Sequence, residues 1–260
     1  MEVIVKNTYD EMSRAAALKV VNVLNAKPDA VIGLATGSTP LGVYQELARL
    51  HQEEGLDFSQ VRTFNLDEYV GVSVKHPQSY HHFMHENLFK HINIPPQNIH
   101  IPSGTTSNYR AFCAWYEQRI EECGGIDLQI LGIGSDGHIA FNEPTSSFAS
   151  RTRLKTLAKP TIDDNARFFD KREDVPIYAI TMGVGTILEA EQLVLLANGT
   201  NKAKAIAAAI EGPMTSMITA SAIQMHPSVN VYLDEPAASE LTMRDYYDWI
   251  QEKKPGSPQM

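Results

Sequence analysis

The apolar run Leu128 to Ile133 constrains this chain more than any other stretch. It lacks the alternation of a half-exposed strand and reads as a strand buried on both faces. It opens into Gly132-Ile133-Gly134-Ser135-Asp136-Gly137-His138-Ile139-Ala140-Phe141-Asn142-Glu143-Pro144. Three glycines in six residues let the backbone turn sharply and let a ligand come close. A Gly-Ser-Asp-Gly turn alone is most simply a strand-to-helix turn with a capping Asp. Here His138 and Glu143 share the loop with Asp136, and an imidazole flanked by carboxylates is how a proton carrier is oriented and tuned.

The remaining chain repeats a strand-then-helix pattern. Strands are expected at Val3 to Val5, Ala30 to Ala35, Val61 to Leu66, Ile99 to Ile101, Ile177 to Thr181, Gln192 to Ala197 and Val229 to Leu233. Helical periodicity fills Tyr9 to Leu24, the segment after Pro40, Ser79 to Lys90, Asn108 to Cys123, Lys202 to Ile210 and Thr242 to Glu252. This alternation predicts an α/β fold: one domain with a mostly parallel, doubly wound (Rossmann-like) sheet and helices on both faces. Residues 1–254 form the expected domain, with a lid insertion at about 153–176 and a disordered tail at 255–260.

Right-handed crossovers place the C-terminal ends of the strands along one edge. Thr36-Gly37-Ser38-Thr39 then forms a hydroxyl-rich turn before a helix N-terminus, a site suited to an anion. Asp67 follows the third strand, and Lys202 follows the strand ending at Ala197. Taken singly, Asp67 is more often a turn residue and Lys202 a solvated lysine. Brought to one crevice with Asp136, His138 and Glu143, they suit acid–base chemistry on a phosphorylated small molecule, without a cofactor.

The net charge of −9 argues against nucleic acid or an anionic membrane as main partner. No apolar run is long enough to span a bilayer, and the N-terminus lacks a signal-peptide pattern. Cys113 and Cys123 are too few for a disulfide framework, so a reduced, cytoplasmic setting is expected. His81 and His85 have helical metal-ligand spacing, but no third ligand is evident and aromatic neighbours point to packing, so no metal is expected.

The chain resembles the glucosamine-6-phosphate deaminase (isomerising) family. The matching motifs run in order: Leu34-Ala35-Thr36-Gly37-Ser38-Thr39-Pro40, Phe64-Asn65-Leu66-Asp67-Glu68-Tyr69-Val70-Gly71, His76-Pro77 with Ser79-Tyr80, Gly134 to Pro144, Ser150-Arg151-Thr152-Arg153 and Asn165-Ala166-Arg167-Phe168-Phe169. The resemblance implies conversion of glucosamine 6-phosphate and water to fructose 6-phosphate and ammonia. It implies that His138 assists ring opening, that Asp136 and Glu143 orient it, and that Asp67 moves a proton between C2 and C1. The substrate phosphate would lie on Gly37, Ser38 and Thr39 with Arg167 and Lys202. Some members are hexamers activated by N-acetylglucosamine 6-phosphate, and Ser146, Arg153 and Lys155 match the residues that hold this effector's phosphate. Tyr246 and Tyr247 are both candidates for the tyrosine that completes that site. Two rivals remain: a 6-phosphogluconolactonase with a related Gly-x-Asp-Gly-His loop, and a non-enzymatic sugar-phosphate sensor. The sensor would need a DNA-reading module, which an acidic chain with its first strand at Val3 does not offer.

Overall fold

The structure, a computed structural model, describes residues 1–254; the expected tail lies outside the described residues. The chain opens with β1 (Glu2–Lys6), α1 (Tyr9–Ala26), β2 (Val31–Leu34), α2 (Leu41–Glu54), β3 (Arg62–Asn65), β4 (Asp67–Tyr69), α3 (Tyr80–Asn87), β5 (Ile99–His100), α4 (Tyr109–Glu122) and β6 (Leu128–Leu131). It continues with β7 (Arg153–Thr156), α5 (Lys159–Asn165), β8 (Tyr178–Thr181), α6 (Val184–Leu188), β9 (Leu193–Ala197), α7 (Ala203–Ile210), β10 (Val229–Asp234) and α8 (Arg244–Glu252). Local chemistry sets the helix ends. Thr8, Ser79 and Asn108 cap α1, α3 and α4 by accepting from the N–H three residues on, and left-handed Gly55 ends α2.

Seven strands form one sheet in the order β1-β10-β9-β6-β2-β3-β5, and every pairing in it is parallel. Every residue of β2, β6, β9 and β10 is buried, as strands covered on both faces must be. From β2 the chain builds outward through β3 to β5, then crosses back to place β6 on the other flank of β2. The strand order therefore reverses between β2 and β6, and ligands of open α/β sheets bind at the carboxyl ends of strands at such a point.

The expectation that Ile177 to Thr181 resumes the parallel sheet is corrected. β8 instead lies in a second, antiparallel sheet of order β4-β8-β7. Leu66 joins the two sheets: its N–H donates to Leu34 of β2, and its carbonyl accepts from Met182 just beyond β8. The chain thus leaves the large sheet after Asn65 and enters the small one at Asp67. The first residues of the expected lid, 153–156, are β7 of this small sheet. The segment between β7 and β8 carries α5 and two short 3-10 turns. A separate apolar cluster of Tyr69, Phe141, Leu157, Ile162, Val175 and Ala179 lies under it.

Candidate active site

The loop after β6 is wound tightly around its histidine. Gly134 N–H donates to the His138 carbonyl (2.8 Å), Gly137 N–H donates to Gly134 (3.1 Å), and His138 N–H donates to Asp136 Oδ1 (3.2 Å). Gly137 is left-handed, and a methyl group at Gly134 would run into the His138 imidazole. His138 Nδ1 lies 2.6 Å from Asp136 Oδ1. Burial pushes the Asp136 carboxyl up, but the adjoining imidazole outweighs it, leaving Asp136 below the usual carboxylate range.

Glu143 is buried; its Oε1 accepts from Ala158 N–H (2.9 Å), while Oε2 has no hydrogen-bond partner among the described residues. Two non-glycine residues with positive φ bracket it, Ala140 at 50° and Thr145 at 75°. Such conformations cost roughly 1–3 kcal/mol each and persist where the surroundings fix them. Asn142 supplies part of that fixing, donating to the Ile139 and Met182 carbonyls, and Thr145 N–H donates to Ser216. Asp136, His138 and Glu143 offer ligand atoms within 4.8 Å of one another, so the group that can share a proton is also one that a divalent ion would fit.

Asp67 stands just past the C-terminal end of β3, and it also begins β4 of the small sheet, opposite Thr181 of β8. Thr181 Oγ1 accepts from Phe141 N–H (3.0 Å), which ties the His138 loop to Asp67's neighbour across the ladder. Asp67 is buried. Desolvation first, and then the like charge of Glu68, push its carboxyl up to about 8. The Tyr69 and Tyr80 rings pack together with centroids 4.9 Å apart, and both meet the Phe141 ring of the His138 loop.

The residues expected to bind an anion lie along the same edge. Gly37 is left-handed, and Thr39 Oγ1 donates to Asn198 Oδ1 (2.7 Å), joining the turns after β2 and β9 across β6. Burial lowers the Lys202 ammonium, Asp164 opposes that, and the Arg167 charge lowers it further. Lys202 thus has both a carboxylate, Asp164, and a guanidinium, Arg167, within electrostatic reach. Ser135 Oγ donates to Asp164 Oδ2 (2.9 Å), fastening α5 to the His138 loop.

Ser146, Arg153 and Lys155 also come together. Lys155 Nζ donates to Ser146 Oγ (3.3 Å), and burial and then the Arg153 charge lower the Lys155 ammonium. The helix carrying Tyr246 and Tyr247 packs on β1, at the edge of the large sheet, and the two rings meet edge to face at 5.8 Å.

Residues 6–232 match the family of glucosamine-6-phosphate isomerases and 6-phosphogluconolactonases. The chain belongs to this family. A glucosamine-6-phosphate deaminase of Hahella chejuensis is 52% identical over 96% of each chain. One from Thermoanaerobacter pseudethanolicus is 50% identical over 94% of this chain and 97% of its own. A solved structure described as a monomeric glucosamine-6-phosphate deaminase superposes with a TM-score of 0.91 at 45% identity, over 92% of this chain and all of that one. A 6-phosphogluconolactonase from Trypanosoma brucei shares the fold at 22% identity, with a TM-score of 0.73 over 92% of this chain and 98% of its own.

Within this family site, sequence reasoning missed Glu68, Tyr69, Tyr80, Asn142, Asp164 and Thr181. Glu68, Tyr69, Tyr80 and Asn142 stand inside the motifs that carry the resemblance, yet only folding reveals their partners. Asp164 lies next to the Asn165-to-Phe169 motif and gives no sign of its bond to Ser135.

Proposed function

We infer that this chain is a glucosamine-6-phosphate deaminase, converting D-glucosamine 6-phosphate and water to D-fructose 6-phosphate and ammonia. The observation that carries this reading is Asp67: a buried carboxyl opposite Thr181, whose hydroxyl is bonded to the His138 loop. His138, oriented by Asp136 and Glu143, passes a proton to the ring oxygen as the pyranose opens. Asp67 takes the proton from C2 of the open aldose, and the C1 oxygen gains one, giving an enolamine. Asp67 then returns a proton to C1. Water adds to the resulting C2 imine, and ammonia leaves. Gly37, Ser38, Thr39, Arg167 and Lys202 hold the phosphate, and residues 153–176 act as the lid, with Arg167 drawn down onto the anion.

The same reading makes the protein a cytoplasmic hydrolase; two free, buried cysteines support a reduced setting. Ser146, Arg153 and Lys155 form the site for an N-acetylglucosamine 6-phosphate activator, supported by the repulsion between the Arg153 and Lys155 charges. A homohexamer is the proposed assembly; the alternative is a monomer, the state named for the 45% identical relative.

Ammonia release from glucosamine 6-phosphate, assayed beside hydrolysis of 6-phosphogluconolactone and with a chelator present, tests the reaction. Chelator-resistant ammonia release is expected. Asp67→Asn should lower turnover by at least about a hundredfold while substrate still binds. Near-normal turnover in that variant would remove Asp67 as the base.

A further inference from the structure

β4 is only three residues long, and side chains alternate along a strand, so Asp67 and Glu68 face opposite ways. The Glu68 side is sealed by α3. Glu68 is 1% exposed, yet every contact it makes is with an N–H donor. Its Oε1 accepts from Tyr69 N–H (2.8 Å) and Tyr80 N–H (3.0 Å). Its Oε2 accepts from His81 N–H (3.1 Å) and lies 2.9 Å from His81 Nδ1. Tyr80 and His81 are the first two residues of α3, and Ser79 satisfies the next N–H, that of His82. Glu68 therefore clamps the strand that carries Asp67 to a helix whose end would otherwise hold unpaired donors.

We propose that Glu68 is a positioning residue: held by α3 and His81, its buried carboxylate fixes the strand at Asp67 and governs how readily the neighbouring carboxyl gives and takes its proton. The proposal rests on Asp67 being the base. A cap alone would need acceptors but no charge. Asp67 has a like charge beside it and no cation among the groups that act on it. Those it faces are Tyr69 of its own strand, Tyr80 of α3 and Tyr116 of α4, all hydroxyls, and Thr181 of β8. The side chain that holds Glu68 from α3 is His81. Its side chain is 30% exposed and lines a cavity of about 600 Å³ together with Lys75, His82, His85 and His100. The histidine that the sequence places at the rim of a packed helix thus has one ring nitrogen on a buried carboxylate and its edge toward solvent.

The test follows the Asp67 carboxyl by carbon-13 NMR titration of the full-length, substrate-free protein, with Asp67→Asn identifying the signal. Glu68→Gln removes the like charge and should lower the midpoint by about one pH unit. The acid limb of kcat/KM should move down with it. His81→Leu keeps the three backbone contacts but removes one donor from Glu68, and should move midpoint and limb slightly up. Loss of activity with the midpoint unmoved in both variants would overturn the proposal. If Glu68→Gln does not fold, the direction of the His81→Leu displacement decides alone. A midpoint that moves while the rate limb stays fixed would uphold the coupling and remove Asp67 as the base.

Discussion

Position 134 has no room for a side chain because the His138 ring occupies that space. Gly134→Ala should therefore push the imidazole aside without touching substrate. A displacement of about 1 Å at a reacting group can cost on the order of a hundredfold. The expected outcome is a fall in kcat of that order with little change in KM, read by steady-state ammonia release. Asp67 makes a second prediction, in stability. Its carboxyl holds a proton up to about 8 in the folded chain, against about 4 when unfolded. Between these values the folded state binds the extra proton, so stability falls as pH rises through the window. Asp67→Asn lacks that loss. Its melting temperature should gain on the parent's from about pH 4 to about pH 8, then keep a constant lead, as calorimetry across pH would record.

α5 brings an anion of its own to the phosphate site. Asp164 bonds Ser135 and acts on Lys202. Asp164→Asn keeps an acceptor for Ser135 and deletes the charge. Inorganic phosphate should then bind about two- to fivefold more tightly, as expected for one exposed charge contact, and isothermal titration would show it. At this scale the sequence reads unevenly. Buried parallel strands are legible as apolar runs, unbroken in β9 and interrupted only by Gln129 in β6, and the loop at 134–144 is legible because its chemistry is contiguous. Tyr178 to Thr181 is also apolar and short, but nothing local distinguishes a strand of the large sheet from one that turns back against β4. The same holds for Glu68: its identity is plain, while its four donors come from its own strand and the start of α3. The position of Asp67 after β3 was legible, while the second strand that it begins, β4, was not.

Across the whole molecule, the order β3-β2-β6 puts the anion turn and the His138 loop on the two strands that flank the reversal. The basic cluster of Ser146, Arg153 and Lys155 lies on the small sheet and the loop leading to it. If it serves a hexamer, light scattering should give six times the 28.8 kDa chain mass, and N-acetylglucosamine 6-phosphate should turn sigmoidal kinetics hyperbolic. A 28.8 kDa particle with hyperbolic kinetics that the acetylated sugar leaves unchanged would dismiss both. The crossing at Leu66 has one more consequence. On the proposed function, the carboxyl that works on carbon is mounted on one scaffold, while the imidazole and the turn after β2 are mounted on the other. Descent could rewrite the tripeptide Asp67 to Tyr69 and retire isomerisation while a hydrolytic pocket survived intact. A fold divided in this way can change its reaction without first surrendering its ligand.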